Sequence, residues 1–390
     1  MDAIEMLKRI GLAAFAAAAA GQALAQSAPA ARPPPLEAEV SDVAVLPAPG
    51  PHWVLLLDAF GGGEARLLDG DSGKLLGGVS AASLSNINVS PAQRQIFVAE
   101  SIWTKGNRGD RQDMVTVYDG KTLNLAAEIP LPGRVFMGSR SQNFAITPSG
   151  QRGYVYNMDP SSSVIVVDLA ARKTSQTVDT PGCALVFPFG EAGFSSLCGD
   201  GTLATVTLGA GAPSLTRTKP FFDAERDPVF ENSPTDPTSG RTIFVTYTGL
   251  VHTVQLGATP QFAKPWSIQA AAGFAAASAD DRELAWRPGG NQPLTLHRAT
   301  NRLFVLMHAG GHWTHKEPGQ EVWILDVAKQ TLIKRYKLEK PVSNILISQD
   351  ADPLLFGVDR TGVLYTFKPD SGEVVKTVKG VGGLLYDPAA

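Results

Sequence analysis

The chain has 390 residues, 44% hydrophobic and 18% charged, with a formal net charge of −3. A mean hydropathy of −0.01 leaves room for a sizeable core and excludes a fibrous or disordered chain. Charges so nearly balanced supply no basic footprint for nucleic acid and no polybasic patch for a membrane surface.

At the N-terminus, Lys8 and Arg9 precede an apolar run over residues 10–20 and then Ala23-Leu24-Ala25. This pattern predicts a Sec-type signal peptide, residues 1–25, cleaved after Ala25. Asp2 and Glu5 conflict with a basic leader, and starting at Met6 instead of Met1 removes them. A membrane anchor is the competing reading, but the run is well short of the ~20 residues a spanning helix needs. Residues 26–51 are rich in Pro and Ala and are expected to be a tether with one strand at 37–46.

From residue 52 to 390 one unit recurs: an apolar strand, a turn, a second strand often ending in Asp, another turn and a further strand. NINVSPAQRQIFVAES from Asn86, NFAITPSGQRGYVYNM from Asn143 and NILISQDADPLLFGVD from Asn344 are its clearest copies. The strand-end residues Asp119 and Asp168 lie 49 positions apart, inside the ~40–50 residue period of a four-stranded propeller blade. Weaker copies occupy 53–79, 184–218, 232–266 and a stretch ending near Pro341. The expected fold is therefore all-β, a seven-bladed β-propeller of four-stranded antiparallel blades. A β-sandwich would not repeat as a four-strand unit at this spacing. Residues 270–284 can hold a short helix, and the last unit, ending at Val381, is expected to need a strand from 37–46 or 54–57 to complete its blade.

Candidate chemistry is sparse. Cys183 and Cys198 are the only cysteines, 15 positions apart, and an even count in an exported chain favours a disulfide worth about 3 kcal/mol. Buried thiols or a pair of metal ligands are the alternatives. Residues 303–307 and 322–325 read as a hairpin around a long loop, 309–320, that carries His312, Trp313 and His315, with His308 just before it. Gly310 and Gly311 break any helical HxxxH, so a loop presenting His and Trp to a partner protein is favoured over a metal site. Residues 108–113, RGDRQD, form either a solvated hairpin tip or a charged rim. Gly61-Gly62-Gly63 opens no helix and reads as a turn, and there is no GxSxG, CxxCH or HExxH.

Several motifs in one order carry a family resemblance: Arg108 to Asp113 ahead of Val117-Tyr118-Asp119, Cys183 with Cys198-Gly199-Asp200-Gly201, and Thr246-Tyr247-Thr248-Gly249. They continue with Trp286-Arg287-Pro288-Gly289-Gly290, Leu296-His297-Arg298-Ala299, Thr314-His315-Lys316 and Ser348-Gln349-Asp350. This pattern resembles the heavy chain of the bacterial quinoprotein amine dehydrogenases, the methylamine branch more than the aromatic one. The resemblance implies a seven-bladed propeller, a Cys183–Cys198 disulfide, and a heterotetramer with a small disulfide-rich light chain. It further implies that tryptophan tryptophylquinone and the catalytic base belong to that light chain, so no residue here is catalytic and none holds a cofactor or a metal. The implied enzyme is periplasmic, oxidises a primary amine to aldehyde and ammonia, and passes electrons to a blue-copper protein such as amicyanin.

Within this chain the resemblance makes Arg287, His312, Trp313, His315 and Lys316 candidates for the light-chain interface. Where the family places a channel-lining phenylalanine, this chain has Ser83 and Leu84, which are the substrate-channel candidates and open the question of a longer aliphatic amine. The competing class is a stand-alone exported propeller that binds a protein or ligand without redox chemistry. A self-contained propeller lactonase or hydrolase would need carboxylates and histidines gathered along the central channel.

Overall fold

The computed structural model describes residues 45–58, 63–133, 135 and 138–389. The expected signal segment with its cleavage at Ala25, the part of the expected tether up to residue 44, and Gly61-Gly62 lie outside them.

Seven antiparallel sheets follow one another along the chain as blades. Blade 1 holds Trp53–Asp58, Glu64–Asp69 and Leu75–Ser80, and blade 2 holds Asn86–Ser90, Gln95–Trp103, Arg111–Asp119 and Leu125–Pro130. Blade 3 runs from Phe144–Ile146 to Lys173–Asp179, blade 4 from Cys183–Phe189 to Ser214–Arg217, and blade 7 from Asn344–Ile347 to Val374–Val378. In blade 5 the outer strand is broken into Gln261–Phe262 and Trp266–Ser267, and in blade 6 the inner strand is broken into Ala285–Pro288 and Leu294–His297. Proline and paired glycine at 288–290 interrupt the ladder there.

The middle strands are largely apolar because both of their faces are covered by neighbouring blades, whereas outermost strands such as Ser214–Arg217 stay exposed. Alternation sends Leu55 and Leu57 towards Ile87, Ile96 and Val98 of blade 2, and Val54 and Leu56 towards Phe356 and Val358 of blade 7. One such cluster fills each junction between neighbours, the seventh sitting between blades 7 and 1. Each fully buried Leu, Val or Phe contributes about 1.5–3 kcal/mol.

Ring closure corrects the expectation for the last unit. Blade 7 already has four strands of its own, and the terminal strand Leu384–Tyr386 instead pairs with Trp53–Asp58 as the innermost strand of blade 1. The reason is the phase of the repeat: blade 1 begins at its second strand, so the missing strand must come from the far end of the chain.

Strand direction alternates, so connections from second to third strand and from each blade to the next emerge on one face, the loop face. The remaining turns share the opposite turn face. On the turn face the strand-end Asp has a defined task. Asp119 Oδ1 accepts from the N–H groups of Lys121 and Thr122 at 2.8 and 2.9 Å, and Asp326 Oδ1 from those of Ala328 and Lys329 at 3.0 and 2.9 Å. Four residues after each Asp stands a residue with positive φ: Gly73, Leu123, Arg172 and Gln330 at 73°, 58°, 55° and 56°.

The Asn that opens several of the repeats joins segments distant in sequence, whereas Asn143 bonds locally to Gly138 O. Asn86 Oδ1 accepts from Arg140 N at 3.0 Å, Asn232 Oδ1 from Ser141 N at 3.1 Å, and Asn344 Nδ2 donates to Gly383 O at 2.5 Å. Gln292 takes the same place in blade 6 and bonds both backbone groups of Leu385 at 3.0 Å. A channel cavity of about 200 Å³ lies among Ser141, Asn232, Gln292, Leu294, Leu296 and Arg298.

The expected helix is a single turn, Ile268–Ala271, starting before residue 270 because the Ser267 hydroxyl accepts from Ala270 N at 3.2 Å. Gly273, at φ 80°, follows it immediately.

Candidate functional site

Two groups of candidate residues stand on the loop face. The first is the blade 6 hairpin, whose strands Arg302–Gly310 and Gly319–Asp326 extend further than expected, leaving residues 311–318 as the loop. Although short, this loop is fastened to three neighbours. His312 Nε2 donates to Arg226 O in the connector from blade 4, Gly290 N donates to His315 O at 3.0 Å, and Arg360 of blade 7 donates to Lys316 O at 2.8 Å. Arg360 also pairs with Glu317 at 3.3 Å.

Within this frame the His315 ring stacks on Tyr247 of blade 5, centroids 3.9 Å apart and planes 13° from parallel. Phe230 packs against Tyr247 at 4.9 Å, and Trp313 meets Tyr247 edge-on at 6.3 Å. Glu231 pairs with Arg140 and, at 4.0 Å, with Lys316. Burial, reinforced by the Glu231 carboxylate and opposed by Arg140, pushes the Tyr247 hydroxyl up to about 12. Burial likewise holds the His308 and His315 imidazoles below their ordinary value.

The five interface candidates therefore differ in what they can touch. Trp313 is 52% exposed and Lys316 is exposed beside it, so both present area to a partner. His315 is half-buried under the stack. Arg287 and His312 are 1% and 2% exposed, and in this conformation they hold the hairpin in place and offer no contact area. Arg287 donates to Ser278 O at 2.8 Å, to Glu283 at 3.2 Å and to Gly310 O at 3.3 Å, which ties the connector from blade 5 to the hairpin. Gly289 and Gly290 are required beside it. A Cβ on Gly289 would stand 2.4 Å from His308 Nδ1, and one on Gly290, at φ 130°, 2.4 Å from Ser343 O.

The second group is the connector 81–85 between blades 1 and 2. Ser83 is exposed, Leu84 is half-buried with φ 61°, and no hydrogen bond or ring contact joins them to the hairpin among the described residues. What holds this connector escaped the sequence reading. Glu100, only 7% exposed on the Gln95–Trp103 strand, accepts from Ala82 N at 2.7 Å through one oxygen and from the Thr116 hydroxyl through the other. Desolvation raises its carboxyl above the usual carboxylate range, opposed by both hydrogen bonds. One signal was available in advance: a carboxylate in the otherwise apolar run IFVAES.

Residues 104–110 make an exposed tip on blade 2, and at its base Arg111 pairs with Asp113 at 2.7 Å with Trp103 below the guanidinium at 5.6 Å. Cys183 and Cys198 face one another across adjacent strands of blade 4 and form the expected disulfide. Among the described residues no three His, Cys, Asp or Glu side chains gather as metal ligands, and the channel cavity is lined by one carboxylate, Asp387, with no histidine beside it.

Residues 62–384 match the family model of the methylamine dehydrogenase heavy chain. The methylamine dehydrogenase heavy chain of Methylorubrum extorquens is 31% identical over 320 residues, 81% of this chain and 76% of that protein. That of Paracoccus versutus is 30% identical over 361 residues, 88% of this chain and 81% of that protein. Among solved structures, the dihydro-heme d1 dehydrogenase NirN superposes with a TM-score of 0.54 at 15% identity, over 88% of this chain and 76% of that one. The β-propeller domain of Myceliophteria thermophila Cps50 (Swd1) gives 0.57 at 8%, over 82% and 93%. At those identities the structural likeness is one of fold alone.

Proposed function

Because the chain belongs to the methylamine dehydrogenase heavy chain family, we propose that it is the heavy, non-catalytic subunit of a periplasmic amine dehydrogenase. The enzyme converts a primary amine and water to an aldehyde and ammonia, releasing two electrons and two protons. The quinone that accepts those electrons, tryptophan tryptophylquinone, belongs to a small disulfide-rich light chain, two of which assemble with two copies of this chain. A blue-copper protein such as amicyanin then takes the electrons. The match over residues 62–384 carries the reading, because it extends from blade 1 to the closing strand.

In this reading the loop face receives the light chain. Trp313 suits an anchor, since it stands exposed on a loop fastened from three sides, and large aromatics on rigid supports dominate binding energy. Ser83 and Leu84 line the substrate channel, and without an aromatic ring there the channel accepts a longer aliphatic amine as well as methylamine.

Purification of the tagged full-length chain from its native host tests the assembly. A small subunit with quinone absorbance and amine-dependent dye reduction is expected to accompany it. Recovery of the chain alone, with no such subunit, sinks the reading and favours a stand-alone binding propeller. In the assembled enzyme Trp313→Ala is expected to weaken light-chain binding by at least ~30-fold, about 2 kcal/mol, measured by titration of the separated subunits.

A further inference from the structure

We propose that residues 311–318 form an acid-sensitive latch, closed while the imidazoles of His308 and His315 are neutral and opened when they take up protons. The inference concerns this chain alone, whether or not a light chain docks there. Its basis is the hydrogen-bond arithmetic of the imidazoles.

The Thr314 hydroxyl gives its single proton to Gly311 O at 2.8 Å, so at its 2.7 Å contact with His308 Nε2 it must accept. His308 therefore carries its proton on Nε2 and a bare lone pair on Nδ1. That Nδ1 is buried against Gly289 and has no partner. A second proton would place a buried N–H there, inside a ring that is 2% exposed, where the backbone of Arg287 is the one acceptor nearby and no well-formed bond reaches it. His315 shares one part of this: its Nδ1 is buried without a partner while the ring lies flat on Tyr247. His312 donates to Arg226 O and also leaves Nδ1 buried without a partner.

Charges around the site reinforce this on balance. His308 faces the Arg287 guanidinium, which disfavours a second cation, and Glu317 and the Arg287 backbone, which favour one, although Glu317 is paired with Arg360 and burial outweighs both. His315 faces Lys316, His312 and His308, which oppose its charging, and Glu231, which is shared between Arg140 and Lys316. Asp227 and Glu283 face Arg287 and lie one step further out. Burial depresses both imidazoles, so the closed loop prefers them neutral. Its stability is complete above the free-histidine value of about 6.5 and is lost as the pH falls through the lower values of the closed loop. The loop is the element that yields, because it is fastened by hydrogen bonds to Arg226, Gly290, Arg360 and His308, surface ion pairs and the Tyr247 stack, two of which pass through the titrating imidazoles, whereas the blades are held by their cores.

Amide hydrogen exchange on the full chain without a partner tests the latch. With intrinsic rates corrected, protection over residues 311–318 is expected to fall at least ~10-fold between about pH 7.5 and about pH 5, while residues 119–124 on the turn face keep theirs. His315→Phe keeps a ring on Tyr247 and cannot titrate; His308→Gln keeps a donor to Thr314. Each is expected to flatten the response. Unchanged protection in the wild-type chain overturns the proposal, as does an even loss across all blades. A full response surviving in both variants overturns it too. None of these outcomes depends on a light chain, so a failed heavy-chain reading is recognised separately.

Discussion

Glu100 is one carboxylate in an apolar strand, yet it fixes the connector that presents Ser83 and Leu84. Its carboxyl is raised by burial, so the folded state binds its proton more tightly than the unfolded one. The sign follows: this site stabilises the fold at pH below the free-glutamate value of about 4.3, and that contribution is lost as the pH rises through the folded value. Glu100→Gln is thus expected to melt at or above the wild type at neutral pH. Glu100→Ala, which strands the Ala82 N–H and the Thr116 hydroxyl, should cost about 1–3 kcal/mol. Melting curves of both variants check the pair; a loss in Glu100→Gln equal to that in Glu100→Ala would show that the carboxylate is required and that its burial is no net cost. A charged letter in IFVAES could be noticed in the sequence, but its partner Ala82 could not, since a backbone N–H leaves no trace in composition. His312 and Arg287 teach the converse lesson. Their residue types advertise contact with a partner, and the structure spends them on internal struts.

At the scale of elements, the recurring strand-end Asp was legible because its chemistry is local: a side-chain oxygen accepting from the second and third N–H beyond it. The backbone conformation four residues on was not, because Leu123, Arg172 and Gln330 adopt a left-handed φ that their side chains do not announce. This separates two substitutions. Gln330→Gly relieves an exposed left-handed residue and is expected to stabilise by about 1 kcal/mol. Leu123→Gly relieves the same strain but removes a side chain packed over Gly77, so its net effect should be smaller or destabilising. Chemical denaturation of the two variants compares them directly. The disulfide joins directly opposed residues of blade 4, and Cys183→Ser is expected to lower stability by about 3 kcal/mol, read as a lower melting temperature without reductant. The extra length of the blade 6 strands escaped sequence reading because His308, Ala309 and Gly310 are poor strand formers, recruited by pairing with Ala285–Pro288.

Across the whole molecule the number of blades was legible from the repeat, and the partner of the last strand was not. Closure is a contact between the two ends of the ring, which no local pattern encodes. Near that seam on the turn face, His52 lies between Asp71 at 2.9 Å and Asp350 at 3.3 Å. Partial burial works to lower this imidazole, but the bond to Asp71 and the two carboxylates raise it overall. Its contribution is present below about pH 6.5 and fades as the pH rises through the raised value, opposite in sign to the loop-face histidines. His52→Gln is expected to lower the melting temperature more at pH 6 than at pH 9, roughly spanning that range. A difference that does not change with pH would remove His52 from the account.

The terminal strand Leu384–Tyr386 also sets a schedule for biosynthesis. Blades 2 to 7 are each contiguous in the chain and can form as soon as their own residues are free to fold, but blade 1, begun first, must wait for residues 384–386. At about 5–20 residues per second the wait is on the order of tens of seconds, during which the inner edge of Trp53–Asp58 stays unpaired. Premature termination anywhere upstream of residue 384 would thus leave an open ring with a bare, apolar strand, a species well suited to recognition by a chaperone or a protease.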